Sequence, residues 1–572
     1  MTARLAVRGA CTIGAAIVIG LLAGSLVAQD RLSGRSFATR SEVIARNGMV
    51  ATSHPFATQI ALDVLKAGGN AVDAAIAANA FLGLGDPGNS GIGGDLYAVV
   101  WDPRTRQLHG LNASGRSPRG MTLDALTSRG LTQIPATGPL GISVPGCVDG
   151  WFTLHGRFGS LPMARLLAPT IAYARDGFPI APDIAADSSL RLSQRLPADP
   201  SMFPELRRLY MPDGHFPAKG TIFRNPALAD SLERIATGGR DAYYKGPIAT
   251  AIAAHVKARG GFLSTDDFAH HTSEWVTPVS TMYRGHRVWE LPPNTQGSAV
   301  LQMLNVLEGV DVARTGFGSA DHVHWFTEAK KLAFEDLAAA YADVPSMRVP
   351  VERLLSKEYA AERRALVKPD RAGVYRSGFP VDSHTVYLTT ADKDGMMVSL
   401  IQSNSLSFGS LEVVDGLGFA LHDRGMWFEL TPGHPNVYAP GKRPFHTIIP
   451  AFVTRDDEPY ISFGLMGGDM QPQGHVQILM NLIDFGMDLQ EAGDAPRIYH
   501  SGSFARGGHV DNAGELNLES GYSTDTIREL QRRGHKVAHA YGMYGGYQAI
   551  MRKGGVYYGA SESRKDGYAA GF

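Results

Sequence analysis

The sequence predicts an α+β fold, in which helices dominate the first two thirds and antiparallel strands the last third. Three observations point there. Apolar residues recur at helical spacing and are closed by capping residues early in the chain. A β-branched, alternating hairpin opens at Thr385. Glycine makes up 66 of 572 residues with no collagen-like period, against an ordinary share of roughly 7%, so many turns and close backbone approaches are required. The balance of 54 Lys+Arg against 55 Asp+Glu, a net charge of −1, excludes a polybasic nucleic-acid binder. With 44% hydrophobic and 19% charged residues the chain has the material for a large core, which excludes disorder over most of it.

Arg4 and Arg8 precede an uncharged apolar run over residues 13–28, and Gln29 and Asp30 begin a polar segment. This reads as a secretory signal peptide cut after about Ala28, which makes the mature protein periplasmic or secreted, with no membrane contact after leader removal. The run is shorter than the roughly 20 residues a spanning helix needs, and no later segment is apolar enough to span. Of the two cysteines, Cys11 leaves with the leader, so the mature chain forms no internal disulfide; Cys147 reads as a small buried hydrophobe.

Ile60, Val64 and Leu65 mark a helix over residues 57–67, and Gly68-Gly69 end it as a left-handed cap requires. Asn70 and Asp73 then form an N-cap pair for a second helix through Val72, Ile76 and Ala80. The cluster Gly88-Asn-Ser-Gly-Ile-Gly-Gly-Asp95 follows, and then a strand over 96–101. The cluster fails the dinucleotide spacing and reads as packing and turn geometry. Residues 160–380 read mainly as helices, the longest over 321–341. Its His322 and His324 are two apart and do not share a helix face; with no spaced Cys/His set elsewhere, no metal or other cofactor is expected. The hairpin runs from Thr385 through the turn Asp392-Lys-Asp-Gly395 to Gln402. Strands over 448–454 and 460–464 and a helix over 476–485 complete the pattern, with no internal repeat.

Ten short stretches, in order, resemble the gamma-glutamyltransferase family of N-terminal-nucleophile hydrolases. Among them are Gly68-Gly-Asn-Ala-Val-Asp-Ala-Ala75, Ser90-Gly-Ile-Gly-Gly-Asp95, Val144-Pro-Gly146, residues 385–395, Lys442-Arg-Pro444, Gly467-Gly468 and Gly559-Ala-Ser561, covering the chain from about residue 40 to its end. The resemblance implies a four-layer αββα sandwich and a precursor that cuts itself between His384 and Thr385. The parts would be a leader (1–28), a large subunit (29–384) and a small subunit (385–572), the two subunits staying together as one domain. By itself a threonine before Val-Tyr-Leu is an ordinary strand residue. In the family's position, Thr385 is the nucleophile, and its freed α-amine, with pKa of about 7.7–8.0, is the general base. Ser403 matches the hydroxyl that supports the nucleophile, and Gly467-Gly468 match the pair whose N–H groups form the oxyanion hole.

The residues that grip a glutamyl group depart from the family. Its arginine is replaced by Ser114, with Arg116 two residues on; its acidic residue falls at Trp427; its paired serines become His446 and Thr447; and residues 431–442 are shorter than in lidded members. Substrate-binding candidates are Arg116, Ser405, Arg424, His446 and Thr447, with either arginine suited to a carboxylate. The expected function is a self-processing amidohydrolase or acyltransferase cleaving γ-glutamyl or related amides, with water or an amine as acceptor. The alternatives are an acylase-like enzyme acting on non-glutamyl amides and an uncleaved periplasmic binding protein of the same fold.

Overall fold

The computed structural model describes residues 37–375, 384–502, 513–539 and 542–572. The expected leader and residues 376–383 lie outside these. The strands of the hairpin, His384–Asp392 and Met397–Ser405, form the centre of a seven-stranded sheet in the order Tyr568–Gly571, Gly48–Thr52, His384–Asp392, Met397–Ser405, Asp95–Asp102, Gln107–Ala113, Glu274–Val276. A second seven-stranded sheet runs Val43–Ala45, Val556–Ser561, Gly546–Lys553, Glu458–Met466, Ala451–Arg455, His286–Glu290, Val279–Tyr283. Both sheets contain strands from before and after Thr385. Gly48–Thr52, for instance, is held between His384–Asp392 and the C-terminal strand Tyr568–Gly571.

The strands' period of two sorts their side chains into two cores. Val386, Leu388, Val398 and Leu400 pack with the helices Pro55–Lys66, Ala71–Gly85 and Cys147–Phe158 on the outer face. Tyr387, Ala391, Met397 and Ile401 pack into the layer between the sheets, against Phe452 and Ile550 of the second sheet. Each of the larger aliphatic side chains contributes about 1.5–3 kcal/mol by burial, so a one-residue slip of the hairpin, which swaps the two sets, is strongly disfavoured. On the far face of the second sheet lie the helices Gly297–Glu308, Ala320–Ala340 and Met470–Ile483. The four layers are those of the expected αββα sandwich. Among the described residues no helix is long and apolar enough to cross a membrane.

Local signals place the first helix pair as expected. Asn70 Oδ1 accepts the N–H groups of Val72 and Asp73 at 2.9 and 3.0 Å, and Asp73 accepts the Asn70 N–H at 3.1 Å. Gly68 takes φ 91° where the preceding helix ends. The longest helix spans Ala320–Ala340. One stripe of it grips the stretch 368–375: His324 Nε2 donates to the Lys368 carbonyl at 2.8 Å, Glu328 accepts the Gly373 N–H at 2.9 Å, and Lys331 Nζ donates to the Gly373 carbonyl at 3.0 Å.

The helix expected over 476–485 begins six residues earlier, spanning Met470–Ile483. Pro472 lies in the first turn, where its missing N–H costs nothing, and Gly474 lies against the Leu465 side chain. Gly464 is required between the sheets, because a Cβ there would collide with the Tyr387 ring, whose hydroxyl is fixed 2.8 Å from Ser399 Oγ. Gly464→Ala is expected to destabilise the fold by about 1–3 kcal/mol through overpacking, read as a lower unfolding midpoint in urea; an unchanged midpoint would refute this packing account.

Candidate active site

The inter-sheet layer ends in polar groups. Thr385 and Ser403 follow the same alternation as Tyr387 and Ile401, and Asp95 lies beside Ser403 in register. Pairing within the hairpin is irregular at Thr385: between His384 and Val386 the partner moves from Ser405 to Gln402, so an extra residue is accommodated opposite the nucleophile candidate. Such irregularities re-aim a side chain at a strand end. Thr385 is 2% exposed, and its Oγ1 accepts from Gln471 Nε2 at 3.3 Å. Gln471 sits in the first turn of Met470–Ile483, directly after Gly467 and Gly468, whose φ of 116° and 57° favour glycine. The proposed oxyanion pair therefore belongs to the turn that delivers a side chain to Thr385.

Ser403 Oγ accepts from the Ser405 N–H at 2.8 Å and from Arg424 Nη2 at 3.1 Å. Arg424 is fully buried, and its Nη1 donates to Thr447 Oγ1 at 3.0 Å. Burial pulls the Arg424 pKa down to about 10, against the opposing pull of Asp95 and Asp423, so the group stays cationic at neutral pH. The indole of Trp427 donates to Ser405 Oγ at 2.9 Å. Gln296 Nε2 donates both to the Thr447 carbonyl at 2.5 Å and to the Gly468 carbonyl at 2.9 Å, tying the 446–447 segment to the glycine turn.

Asp95 organises the wall of this site. Its Oδ1 accepts the N–H groups of Gly115 and Gly146 at 3.0 and 3.2 Å, and its Oδ2 accepts from His446 Nε2 at 2.8 Å with His422 Nδ1 3.4 Å away. Burial pushes the carboxyl upward, but His422, His446 and Arg424 outweigh it and hold the group well below the usual carboxylate range. Burial, reinforced by Arg424, presses the His446 pKa down to about 3. The ring is thus neutral, with its proton on Nε2 facing Asp95.

Thr385, Ser403, Ser405, Arg424, Thr447 and the glycine pair are brought together; His446 joins them through Thr447 and Asp95. Arg116 is not part of this network. It is 39% exposed and its guanidinium is taken by Glu274 at 2.7 Å and the Gly441 carbonyl at 3.2 Å. Neither arginine keeps a free two-nitrogen fork for a carboxylate. Cys147 is buried, with its thiol pKa raised by burial and by Asp95, and it points to Asn79. Sequence reasoning missed Gln296, Gln471 and Asp423, which carry no local signal, and took Asp95 only as the end of a glycine cluster. Those glycines are indeed packing residues: a Cβ on Gly94 would collide with the Ser403 carbonyl.

One metal-like grouping exists among the described residues, His324, Glu328 and His535. Its atoms already bond one another and the protein: His324 Nδ1 lies 2.8 Å from His535 Nε2, and Glu328 takes Lys331 at 2.6 Å and Tyr375 at 2.8 Å. With the Lys331 ammonium in contact, the grouping is suited to holding residues 368–375 and unsuited to a cation.

The family model for gamma-glutamyltranspeptidase matches residues 57–572. The chain is 35% identical to the glutathione hydrolase-like YwrD proenzyme of Bacillus subtilis, over 92% of this chain and 99% of that protein. It is 33% identical to the acylase ACY 1 proenzyme of a Pseudomonas species, over 91% and 92%. Among solved structures it resembles cephalosporin acylase from Bacillus halodurans, with TM-score 0.87, 41% identity and coverage of 96% and 99%.

The Asp95 carboxylate carries a pH signature. Its folded pKa is depressed, so its contribution is complete above the unfolded value of about 3.9 and is lost as pH falls through and below it. Asp95→Asn, made in a Thr385→Ala background, is expected to lose about 3 kcal/mol at pH 7 by uncovering buried partners. It should also show a flatter fall of urea midpoint between pH 5 and pH 3 than its parent; parallel curves would refute the assignment.

Proposed function

The chain belongs to the gamma-glutamyltranspeptidase family, and from that premise we propose that it is an exported, self-processing amidohydrolase whose acyl-enzyme forms on Thr385 and whose acyl group carries no free α-ammonium. The observation that carries this reading is the Thr385 hydroxyl, placed at the irregular step of the hairpin and bonded by Gln471 from the helix that follows Gly467-Gly468. In the precursor, Thr385 Oγ1 attacks the His384 carbonyl carbon. The C–N bond breaks as an ester forms on Oγ1, the hydroxyl proton passes to the nitrogen, which becomes the free Thr385 α-amine, and water hydrolyses the ester to a His384 carboxylate and the free Thr385 hydroxyl. That amine then takes the hydroxyl proton during attack on a substrate amide and returns it to the leaving amine. Developing negative charge falls to the N–H groups of Gly467 and Gly468. Water releases the acyl group; an amine acceptor in its place gives transfer. Ser403, clamped by Arg424, fixes the floor on which the nucleophile stands.

The exclusion of an α-ammonium follows from charge. Where the family carries an acid, Trp427 presents an indole already donating to Ser405, and the neighbouring buried cation is Arg424. An ammonium there would face a like charge without a partner. The acylases among the relatives support the same direction. Secretion rests on the leader pattern and is tested by the N-terminus of the mature protein in the periplasmic or extracellular fraction.

Intact mass of the purified protein is expected to show two polypeptides, the smaller beginning at Thr385, while Thr385→Ala stays one chain; a variant that still splits after His384 would overturn the nucleophile. A single uncut chain in the wild type would favour the binding-protein reading. On a panel of anilides, γ-glutamyl compounds are expected to trail N-acyl compounds lacking the α-amine by about tenfold or more in kcat/KM. Trp427→Asp, which restores an anion, should narrow that gap; equal rates in the wild type would refute the exclusion.

A further inference from the structure

Three buried side-chain atoms around Thr447 make no hydrogen bond: Nε of Arg424, Nδ1 of His446 and Oε1 of Gln296. The residues that carry them meet at Thr447. Arg424 reaches the Thr447 hydroxyl, Gln296 reaches the Thr447 carbonyl and the Gly468 carbonyl, and His446 is the preceding residue. The chemical character of each atom is fixed by its neighbours. Arg424 Nε is always a donor. His446 gives its Nε2 proton to Asp95, which leaves Nδ1 a bare acceptor. Gln296 Nε2 donates to two carbonyls, so its amide cannot be reversed and Oε1 is an acceptor.

Buried polar atoms without partners are costly, and a ligand that satisfies them is selected over one that does not. Resting on the proposed acyl-enzyme on Thr385, we propose that these atoms form the polar end of the acyl pocket and that the acyl group it takes ends in a neutral carboxamide. A primary carboxamide offers one acceptor and two donors, the complement of one donor and two acceptors. Its oxygen meets Arg424 Nε–H, and its two N–H groups meet His446 Nδ1 and Gln296 Oε1. A carboxylate would satisfy Arg424 but set its second oxygen against two acceptors. An ammonium would satisfy the acceptors but confront the Arg424 charge. A methyl end leaves all three atoms unpaired.

The test uses the processed wild-type enzyme and 4-nitroanilides of straight acyl chains in two lengths, ending in carboxamide, carboxylate, ammonium or methyl. The carboxamide is expected to exceed each of the others by about tenfold or more in kcat/KM at the better length. His446→Phe, which keeps a ring but removes the acceptor, should reduce the carboxamide-to-methyl ratio about tenfold. A carboxylate-ended or methyl-ended substrate matching the carboxamide would overturn this inference while leaving the proposed function intact, as would an unchanged ratio in a processed His446→Phe enzyme. If that variant fails to fold or process, the wild-type series decides alone. A processed protein that turned over no member of either series would overturn the proposed function and this inference with it.

Discussion

The site depends on one carboxylate kept ionised where no water reaches it. Asp95 sits at the head of a central strand, and stripping it of solvent costs several kcal/mol that only close partners offset. Those partners come from four separate stretches: the Gly115 and Gly146 amides, His422, His446 and the more distant Arg424. Satisfying Asp95 therefore draws the loops around residues 115, 146, 422 and 446 onto the strand beside the one that carries Ser403. The positive charge of Arg424 has the same anion as its counterpart, which is what lets a guanidinium lie fully buried beside two neutral hydroxyls.

The fold was legible wherever local chemistry decides. Asn70 with Asp73 and the φ 91° at Gly68 are short-range effects, and the hairpin turn at 392–395 follows from its own residues, so these elements stand where the sequence puts them. Boundaries slipped where tertiary packing decides: Met470–Ile483 starts ahead of its apolar run because Pro472 fits a first turn and Gly474 lies against Leu465. The two-sided burial of Met397–Ser405, by contrast, required knowing that a second sheet lies opposite.

At the candidate site, the sequence offered the residues of the proposed covalent step and little of what surrounds them. Thr385, Ser403 and Gly467-Gly468 came from the ordered resemblance. Gln296 and Gln471 came from nothing in their neighbourhoods, because their meaning lies in contacts 172 and 86 residues away. The same holds for Arg116 and Arg424. Sequence alone ranks the two guanidiniums equally, and only burial and partner atoms distinguish a rim residue tied to Glu274 from the cation at the centre of the network.

The interleaving of strands has a consequence for how such a protein can lose its structure. With Gly48–Thr52 locked between two strands from beyond Thr385, and Val43–Ala45 paired to Val556–Ser561, neither half of a cut chain has a complete sheet of its own. Folding would be accomplished once, as a single covalent chain, and then made hard to repeat by the cut itself. A severed molecule that unfolds must find its other half by diffusion and rebuild non-local pairings between two chains. Its lifetime would then be set by the height of the barrier to opening, and not by a reversible balance of free energies.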